Sequence, residues 1–417
     1  MVAMALKITV ISNLNTNGVL SLPPNRLHSH LLCSNPKFCG RRFIGSAPLS
    51  LSRSKKSWHG SLQVSNLSQS SASNSFDVVI VGAGIIGLTI ARHLLLASDL
   101  SVALVDAAVP CSGATGAGQG YIWKAHKSPG TEKWELMMRS HQLWENLAKS
   151  IQLQGMDPLE ELGWKKTGSL LVSKTAAESA MLKERVEELS QEGLRAEFLS
   201  TNDLLSEEPE LVLEQEGGAA FFPDDYQLDV HRTVAFIAEG HLLVIENFKS
   251  FKLNHGIMET GYANHQSATL NATASNSGPV YNAQDLSVSM TATIDVSGNL
   301  VLGSSRQLVG FSTEVDESVI NHIWQRVGEF IPALRQESLE DLRQSREVRV
   351  GLRPYIPDGK PVIGLVPGFS NVFLAAGHEG EGLSLALGTA EMIADMVLGN
   401  PCKVDATPFA LLGRCFH

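Results

Sequence analysis

The sequence predicts an α/β fold in two parts: a Rossmann-like domain with a parallel sheet and a second domain based on an antiparallel sheet. Two observations predict the first part. Residues 78–81 form a continuous apolar run, as expected for a parallel strand buried on both faces, and a glycine-rich segment follows directly. The second part is predicted by strand-like runs in residues 256–312, which are separated by Asn, Ser and Gly.

The glycine-rich segment, which reads GAGIIG from Gly82, has the spacing of a dinucleotide-binding turn. Gly82 permits the tight turn, Gly84 lets the backbone approach a pyrophosphate, and Gly87 lets the next helix pack closely on the strand. The start of that helix offers free N–H groups to phosphates. A second apolar run, 102–105, ends at Asp106, whose carboxylate can accept hydrogen bonds from an adenosine ribose. Together these features predict a bound dinucleotide.

Two further segments rich in small residues extend this prediction. Residues 111–120 lack bulky side chains, so their backbone can lie flat against a planar ligand; a flexible surface loop is the alternative. Near the C-terminus, an apolar strand at 372–375 runs into a glycine-rich bend at 377–382, and an apolar helix follows. This second strand-to-helix junction provides another helix N-terminus that can face an anionic group.

The other predicted elements follow hydrophobic periodicity and turn signals. They are helices at 131–151, 176–192 and 316–330, and strands at 167–173, 287–295 and 299–303.

Residues 1–75 differ in composition from the rest of the chain. They contain many Ser, eight Lys or Arg and no acidic residue, the first acid being Asp77. This composition predicts a disordered transit peptide, although a plain disordered tail would have similar features. A chloroplast destination is favoured over a mitochondrial one, because the first fifteen residues have Lys7 as their one charged side chain and no Arg-rich amphipathic pattern.

Charge and hydropathy exclude several classes of partner. Without the leader, the net charge changes from −10 to −18, which argues against nucleic acid and anionic membrane surfaces. No run of eighteen uncharged apolar residues occurs, so no membrane-spanning helix is expected. The five Cys lack metal-ligand spacing, and Gly382 stands where a zinc HExxH motif starting at His378 would need its second His.

Taken together, these motifs resemble the D-amino-acid oxidase/glycine oxidase family of FAD-dependent oxidoreductases. Besides the GAGIIG turn, the resemblance includes GSL at 168–170, GAAFFPDD at 218–225, GLRP at 351–354, PDG at 357–359 and GHEG at 377–380. It implies a glutathione-reductase-type FAD-binding domain from 76–160 and 345–410, and a substrate domain from 161–344. It also implies oxidation of a small amine or amino acid such as glycine, sarcosine or a D-amino acid, with oxygen or a quinone as electron acceptor.

The resemblance assigns roles to individual residues. Arg353 is expected to bind the substrate carboxylate, because a guanidinium is a planar bidentate partner; a surface ion pair is the alternative. Tyr262 is a candidate substrate contact, since the strand at 287–295 has no Tyr. FAD is expected to be non-covalent, because 354–364 contains no Cys or His. The predicted FAD contacts are Gly82, Ala83, Gly84, Ile85, Ile86, Gly87, Asp106, Ala107, Ser112, Gly113, Ala114, Thr115, Gly118, Gln119, Gly120, Gly377, His378, Gly380, Glu381, Gly382 and Leu383.

The chain departs from the family pattern in two places. Gly380 stands where glycine oxidases carry a second basic residue. Family members also carry a sizeable further block of chain, which ends in a strand followed by Ala-Ala-Gly. In this chain that block is missing, because Gly240 is followed directly by His241. An internal deletion would leave sheet edges unpaired. One alternative is therefore a truncated, non-catalytic variant that binds FAD poorly. A second alternative is a nicotinamide-linked dehydrogenase, which would leave the second glycine-rich junction unexplained.

Overall fold

A computed structural model of the chain describes residues 9–12, 76–108, 110–213, 216–238, 253–260, 287–296, 298–306, 314–337, 339 and 346–414. Within these ranges the strands are β1 Thr9–Ser12, β2 Val78–Val81, β3 Val102–Val105, β4 Tyr121–Ile122, β5 Ser169–Ser173, β6 Glu197–Ser200, β7 Gly218–Phe222, β8 Tyr226–Gln227, β9 Gly256–Glu259, β10 Ser287–Ile294, β11 Leu300–Arg306, β12 Val362–Leu365 and β13 Val372–Ala376. The α-helices are α1 Ile85–Ala97, α2 Glu132–Leu153, α3 Pro158–Leu162, α4 Ala176–Gln191, α5 Thr201–Glu207, α6 Val230–Ala238, α7 Glu317–Gly328 and α8 Gly382–Leu398. Short 3₁₀ turns lie at Pro332–Gln336, Glu379–Glu381 and Thr407–Phe409.

The first sheet has the strand order β12-β13-β1-β2-β3. As the apolar runs predict, β2 and β3 are parallel, with Val78 opposite Val102. Helices α1 and α8 pack on this sheet through a shared apolar core, and the Thr89 hydroxyl of α1 donates to the Ala386 carbonyl of α8 over 3.3 Å. Both glycine-rich strand-to-helix junctions therefore belong to one layer of the molecule.

Strand β1 comes from the range for which the composition predicts a transit peptide. It lies between β13 and β2 and is antiparallel to both. Consequently β2 and β13 run in the same direction, one strand position apart. That position lies inside the sheet, where a strand is required to satisfy the backbone groups of its two neighbours.

The second sheet has the order β11-β10-β9-β5-β7-β6. Its neighbouring strands are antiparallel except for the parallel pair β5 and β9, so the predicted antiparallel-sheet domain is confirmed. Helix α7 covers one face, with Val327 and Ile323 in an apolar cluster with Leu170 and Met290 of the sheet. A two-stranded ladder of β4 and β8 stands beside both sheets.

Several earlier expectations fall outside the described residues. Tyr262 is one, and the junction of Gly240 with His241 is another. In the part of the chain that the structure describes, no helix is both long enough and apolar enough to cross a bilayer.

Candidate functional site

The first glycine-rich junction has the geometry that its sequence requires. Gly82 has φ +112°, a value that L side chains rarely adopt. A Cβ on Gly87 would lie 1.9 Å from the Gly82 carbonyl oxygen, so the predicted close approach of helix to strand is present. Gly84 has no side chain to cap α1, and the Thr115 hydroxyl accepts from the Ile85 amide, so a ligand at this helix start would use the other N–H groups of the first turn.

Asp106 lies beside this junction, at the carboxyl end of β3. Its Oδ2 accepts a hydrogen bond from the Ala83 amide over 2.6 Å, and its Oδ1 accepts from the Ala108 amide over 2.8 Å. The carboxylate is therefore fixed next to the turn, which is where contact with a ribose requires it.

The loop at 110–120 covers the start of α1. The Thr115 hydroxyl accepts a hydrogen bond from the Ile85 amide over 3.1 Å, and the Cys111 amide donates to the Ala83 carbonyl over 3.1 Å. Burial, with the Asp106 charge adding to it, raises the pKa of the Cys111 thiol to about 12, so this thiol is neutral and unreactive at pH 7.

The segment at 351–356 joins this loop to the second glycine-rich junction. A Cβ on Gly351 would lie 2.7 Å from the Ala117 Cβ, and a Cβ on Gly377 would lie 2.2 Å from the Ile356 side chain. The Ser384 hydroxyl donates to the Tyr121 carbonyl over 3.0 Å. The structure therefore brings together the residues predicted at 82–87, 106–120 and 377–383, with Arg353 on the segment between them.

A buried charge cluster holds the second junction. The Glu381 carboxylate contacts the Lys127 ammonium and, over 2.7 Å, the Lys133 ammonium. Burial opposes ionisation of Glu381, but the two lysines outweigh it and hold the pKa of this carboxyl well below its usual range. Arg185 donates to the Lys127 and Ala125 carbonyls over 2.5 and 2.7 Å, so the backbone that carries Lys127 is fixed as well.

His378 and Asp225 are further buried groups that shape this region. The His378 Nε2 lies 3.0 Å from the Thr389 hydroxyl, and burial lowers the pKa of this imidazole to about 4. Asp225 accepts from the Lys124 and Ala125 amides over 2.8 and 3.2 Å. Burial raises the pKa of Asp225 to about 6, against the effect of these hydrogen bonds. The side chains of His378 and Glu381 are both engaged with protein groups, and the Glu381 amide donates to the His378 carbonyl over 2.8 Å, so the turn is fixed by its own bonds.

Arg353 and Arg306 differ in their surroundings. Arg306, at the end of β11, pairs with the Glu379 carboxylate over 2.6 Å, and its guanidinium carbon lies 5.5 Å from the centre of the Tyr355 ring. Arg353 is partly buried, and among the described residues no carboxylate pairs with it. Its predicted role as a carboxylate-binding residue is compatible with this environment.

Sequence reasoning missed the cluster around Glu381 and the pair of Arg306 with Glu379. The signal for the first was Lys127 in the motif KAHK at 124–127, where lysines follow an apolar and small-residue stretch. The second joins positions 73 residues apart and had no local signal.

The residues present fit a dinucleotide cofactor. The Gly82 turn leads into the start of α1, the Asp106 carboxylate is adjacent, and the bond of Ser384 to Tyr121 joins the start of α8 to the end of the small-residue loop. Among the described residues no cluster of three or more His, Cys, Asp or Glu side chains has the arrangement of a metal site.

Comparison with known proteins identifies the matching family. The model of the family described as FAD dependent oxidoreductase (DAO) matches residues 77–242 and 259–396. Glycine oxidase from Bacillus licheniformis is 25% identical over 374 residues, which covers 79% of this chain and 95% of that protein. The 4-methylaminobutanoate oxidase (formaldehyde-forming) of Paenarthrobacter nicotinovorans is 25% identical over 382 residues, 79% of this chain and 44% of that protein.

A solved structure has the same fold. The crystal structure of glycine oxidase from Geobacillus kaustophilus matches with a TM-score of 0.60 and 22% identity, covering 81% of this chain and 98% of that chain. In the alignment with the Bacillus licheniformis protein, this chain contributes fewer residues than there are aligned positions. Since 79% of the 417 residues is about 330, about 45 of the 374 aligned positions have no residue of this chain opposite them.

Proposed function

Because this chain belongs to the family of FAD-dependent oxidoreductases, we propose that it oxidises the C–N bond of a small amine or amino acid such as glycine, sarcosine or a D-amino acid. The observation that carries the proposal is the convergence of two glycine-rich strand-to-helix junctions on the segment that holds Arg353. The names of the relatives, which include glycine oxidase and an oxidase of a methylamino acid, support the same class of substrate.

Each part of the site has a task in this reaction. Arg353 binds the substrate carboxylate and so orients the carbon that bears the amine. FAD, if held by the two glycine-rich junctions, would supply the hydride acceptor for that carbon. The N-cap side chain of α8 makes no cap bond, so backbone N–H groups at this helix start would stabilise negative charge placed next to them. The substrate also loses a proton from nitrogen and leaves as an imine, which water hydrolyses to a carbonyl compound and ammonia.

No acid–base pair is needed at the reacting carbon, because the neutral amine is the reactive form of the substrate. The buried residues at the second junction help in another way. His378 is neutral at pH 7, and Glu381 is ionised but paired, so the net charge of the Glu381 cluster is positive. Positive charge at this junction would favour an anionic group bound next to it. Oxygen or a quinone is the proposed electron acceptor.

The experiment that tests this proposal is an anaerobic titration of the purified full-length chain after it has been saturated with FAD. We expect the flavin absorbance near 450 nm to bleach with glycine, sarcosine or D-alanine. Arg353→Met is expected to raise the amine concentration needed for half-bleaching by about 100-fold, since a charge-assisted bidentate pair is lost. Arg195→Met, which removes an exposed pair with Asp224, serves as the matched control and should behave as the wild type.

A second candidate, a truncated variant without catalysis, has an observation of its own in its favour. About 45 positions of the Bacillus alignment lack a residue of this chain, which supports a shorter chain than that relative without locating the difference. The sheet position between β13 and β2 is also filled by β1 from the proposed leader. Restoring a family-length block after Gly240 and measuring FAD binding separates the two candidates. If this chain is a truncated variant without catalysis, FAD should bind to the restored chain and not to the chain as it is.

Residues 1–75 remain proposed as a chloroplast transit peptide, with the mitochondrion as the alternative destination. A fluorescent protein fused after residue 75 and expressed in leaf cells distinguishes the two. Fluorescence inside chloroplasts supports the first proposal, and fluorescence in mitochondria supports the second.

A further inference from the structure

We propose that Arg414 is a positioning residue: by holding the turn at 357–361 it fixes the nearby Arg353 in place for the substrate carboxylate. This inference rests on the proposed function and deepens it, because it names a residue on which substrate binding depends although that residue does not touch the substrate. The observation behind it is a set of three hydrogen bonds from the Arg414 guanidinium to the turn.

The segment that carries Arg353 has no regular structure to hold it. Residues 346–356 form neither a helix nor a strand, so no ladder of backbone hydrogen bonds fixes the position of Arg353. In a segment of this kind, the precision with which a side chain is placed depends on how the two ends of the segment are anchored. The contacts on either side of Arg353 are therefore decisive.

The first anchor is the close packing of Gly351 on the small-residue loop. A Cβ on Gly351 would lie 2.7 Å from the Ala117 Cβ and 2.8 Å from the Ala114 Cα, so the two segments are in direct contact. Gly351 comes two residues before Arg353 in the chain. The start of the segment is thus fixed against the loop that is predicted to contact FAD.

The second anchor is the turn that Arg414 holds. The Arg414 guanidinium donates to the Asp358 carboxylate over 2.5 Å. It also donates to the Lys360 and Pro361 carbonyls, over 2.8 Å in each case. The Arg414 side chain is 11% exposed, so these bonds are largely shielded from competition with water. We call the three bonds the Arg414 clasp; a planar guanidinium that binds several acceptors at once restricts the position of each of them.

Ile356 connects this turn with the segment that carries Arg353. The Gly359 amide donates to the Ile356 carbonyl over 2.9 Å, which closes the turn directly after Ile356. The Ile356 side chain is buried in an apolar cluster against which Leu411 packs. The chain near Arg414 therefore holds the end of the segment in two ways, by hydrogen bonds to the turn and by apolar contact. Arg353 lies between Gly351 and Ile356, both of which are fixed.

Loss of the Arg414 clasp would free the second anchor and leave the first in place. Arg353 would then sample several positions, and binding a carboxylate would have to restrict it to one of them, at a cost in entropy. The effect on FAD should be smaller, because the contact of Gly351 with the loop and the apolar packing of Ile356 both remain.

Binding of (methylthio)acetate to the FAD-saturated full-length chain, measured by calorimetry, tests this inference. The ligand keeps the carboxylate of sarcosine and has sulfur in place of the nitrogen, so it has no C–N bond to be oxidised. In Arg414→Met we expect its affinity to fall about tenfold, while the affinity for FAD stays within about twofold of the wild type. Arg414→Lys, which keeps the charge without the planar fork, should recover part of the loss.

A matched control and a double variant separate positioning from general damage. Arg232 of α6 also donates to a carboxylate and a carbonyl, both of Glu160, so Arg232→Met is the control and should leave both affinities unchanged. In a chain that already has Arg353→Met, adding Arg414→Met should weaken the ligand no further, since the group that it positions is gone. Thermal unfolding of each variant checks that it is folded.

The possible results have distinct meanings. If the wild type binds the ligand but Arg414→Met leaves its affinity unchanged, or weakens the ligand and FAD equally, the clasp is only structural and the inference is wrong. The inference is also wrong if the losses in Arg353→Met and Arg414→Met multiply in the double variant, because Arg414 then acts independently of Arg353. If the FAD-loaded wild type does not bind the ligand, the proposed amine-acid site is wrong and the inference fails with it.

Discussion

The two glycine-rich junctions of this protein both lead from a strand into a helix, but they differ in the charged groups around the start of the helix. At the first, β2 leads into α1, the Thr115 hydroxyl accepts from the Ile85 amide, and the Asp106 carboxylate accepts from the Ala83 amide of the turn. At the second, β13 leads into α8, and a buried carboxylate, Glu381, is held by two lysines. In neither helix does the side chain of the N-cap residue itself cap the helix.

The difference indicates separate tasks for the two helix starts. A glycine-lined turn suits a permanently charged pyrophosphate, which backbone N–H groups at a helix start can bind. A junction with a net positive cluster suits a group whose charge changes during the reaction, because a fixed field then favours the charged state. The predictions below test this contrast, from the largest expected effect to the smallest.

The largest effect is expected from Gly87→Ala at the first junction. A Cβ there would lie 1.9 Å from the Gly82 carbonyl oxygen, so the turn or the helix has to move. We expect FAD affinity to fall at least about 100-fold, measured by fluorescence titration. Leu96→Ala, at an exposed position of the same helix, is the matched control and should leave FAD affinity unchanged. Equal losses in both variants would contradict the account of the first junction.

Lys127→Met is expected to have the next largest effect, this time on stability. The variant leaves Glu381 buried with Lys133 as its remaining cation. We expect the free energy of unfolding in urea to fall by about 3 kcal/mol, because breaking a buried ion pair leaves charge uncompensated. Lys127→Met/Glu381→Gln should recover part of this loss. A double variant that is less stable than the single one would contradict a pairing role for Lys127.

The pH dependence of stability provides a smaller test at the second junction. Burial lowers the pKa of His378 to about 4, so folding favours the neutral ring. The resulting stability is complete above the unfolded pKa of about 6.5 and is lost as the pH falls toward 4. In His378→Asn this titration is absent, so the drop in unfolding free energy between pH 6.5 and 4 should shrink by about 2 kcal/mol. An unchanged drop in urea titrations at these pH values would refute the assignment.

The smallest effect is expected from Thr115→Val at the first junction. The change removes the hydroxyl that accepts from the Ile85 amide and keeps the shape of the side chain. We expect a loss of about 1 kcal/mol in unfolding free energy, as for a lost cap at a helix start. Thr115→Ser, which keeps the hydroxyl, should recover most of it; a serine variant as unstable as the valine variant would argue that methyl packing dominates.

Local signals predicted the first junction, several strands of both sheets and the helices α1, α2, α4, α7 and α8, since each depends on residues close together in the sequence. The run at 78–81 became β2, and the helix predicted at 316–330 became Glu317–Gly328. Interactions between distant segments had no such signal. The contact of Lys127 with Glu381 joins positions 254 residues apart, and that of Arg306 with Glu379 depends on how two domains meet. Buried charge pairs of this kind are fixed by tertiary structure, which a single sequence does not encode in its periodicity.

The position of β1 also lay beyond sequence reasoning. The leader was expected to be disordered because of its composition, yet Thr9–Ser12 occupies the sheet position between β13 and β2. An unfilled position inside a sheet exposes two rows of backbone groups, so any available strand that fits is stabilised there.

The central claim is that both junctions hold a single FAD, and an equilibrium titration of the purified full-length chain with FAD tests it most directly. The account predicts saturable binding of one FAD per chain, released intact when the protein is denatured because the cofactor is not covalently attached. A folded chain that retains no FAD after the unbound FAD has been removed would contradict it.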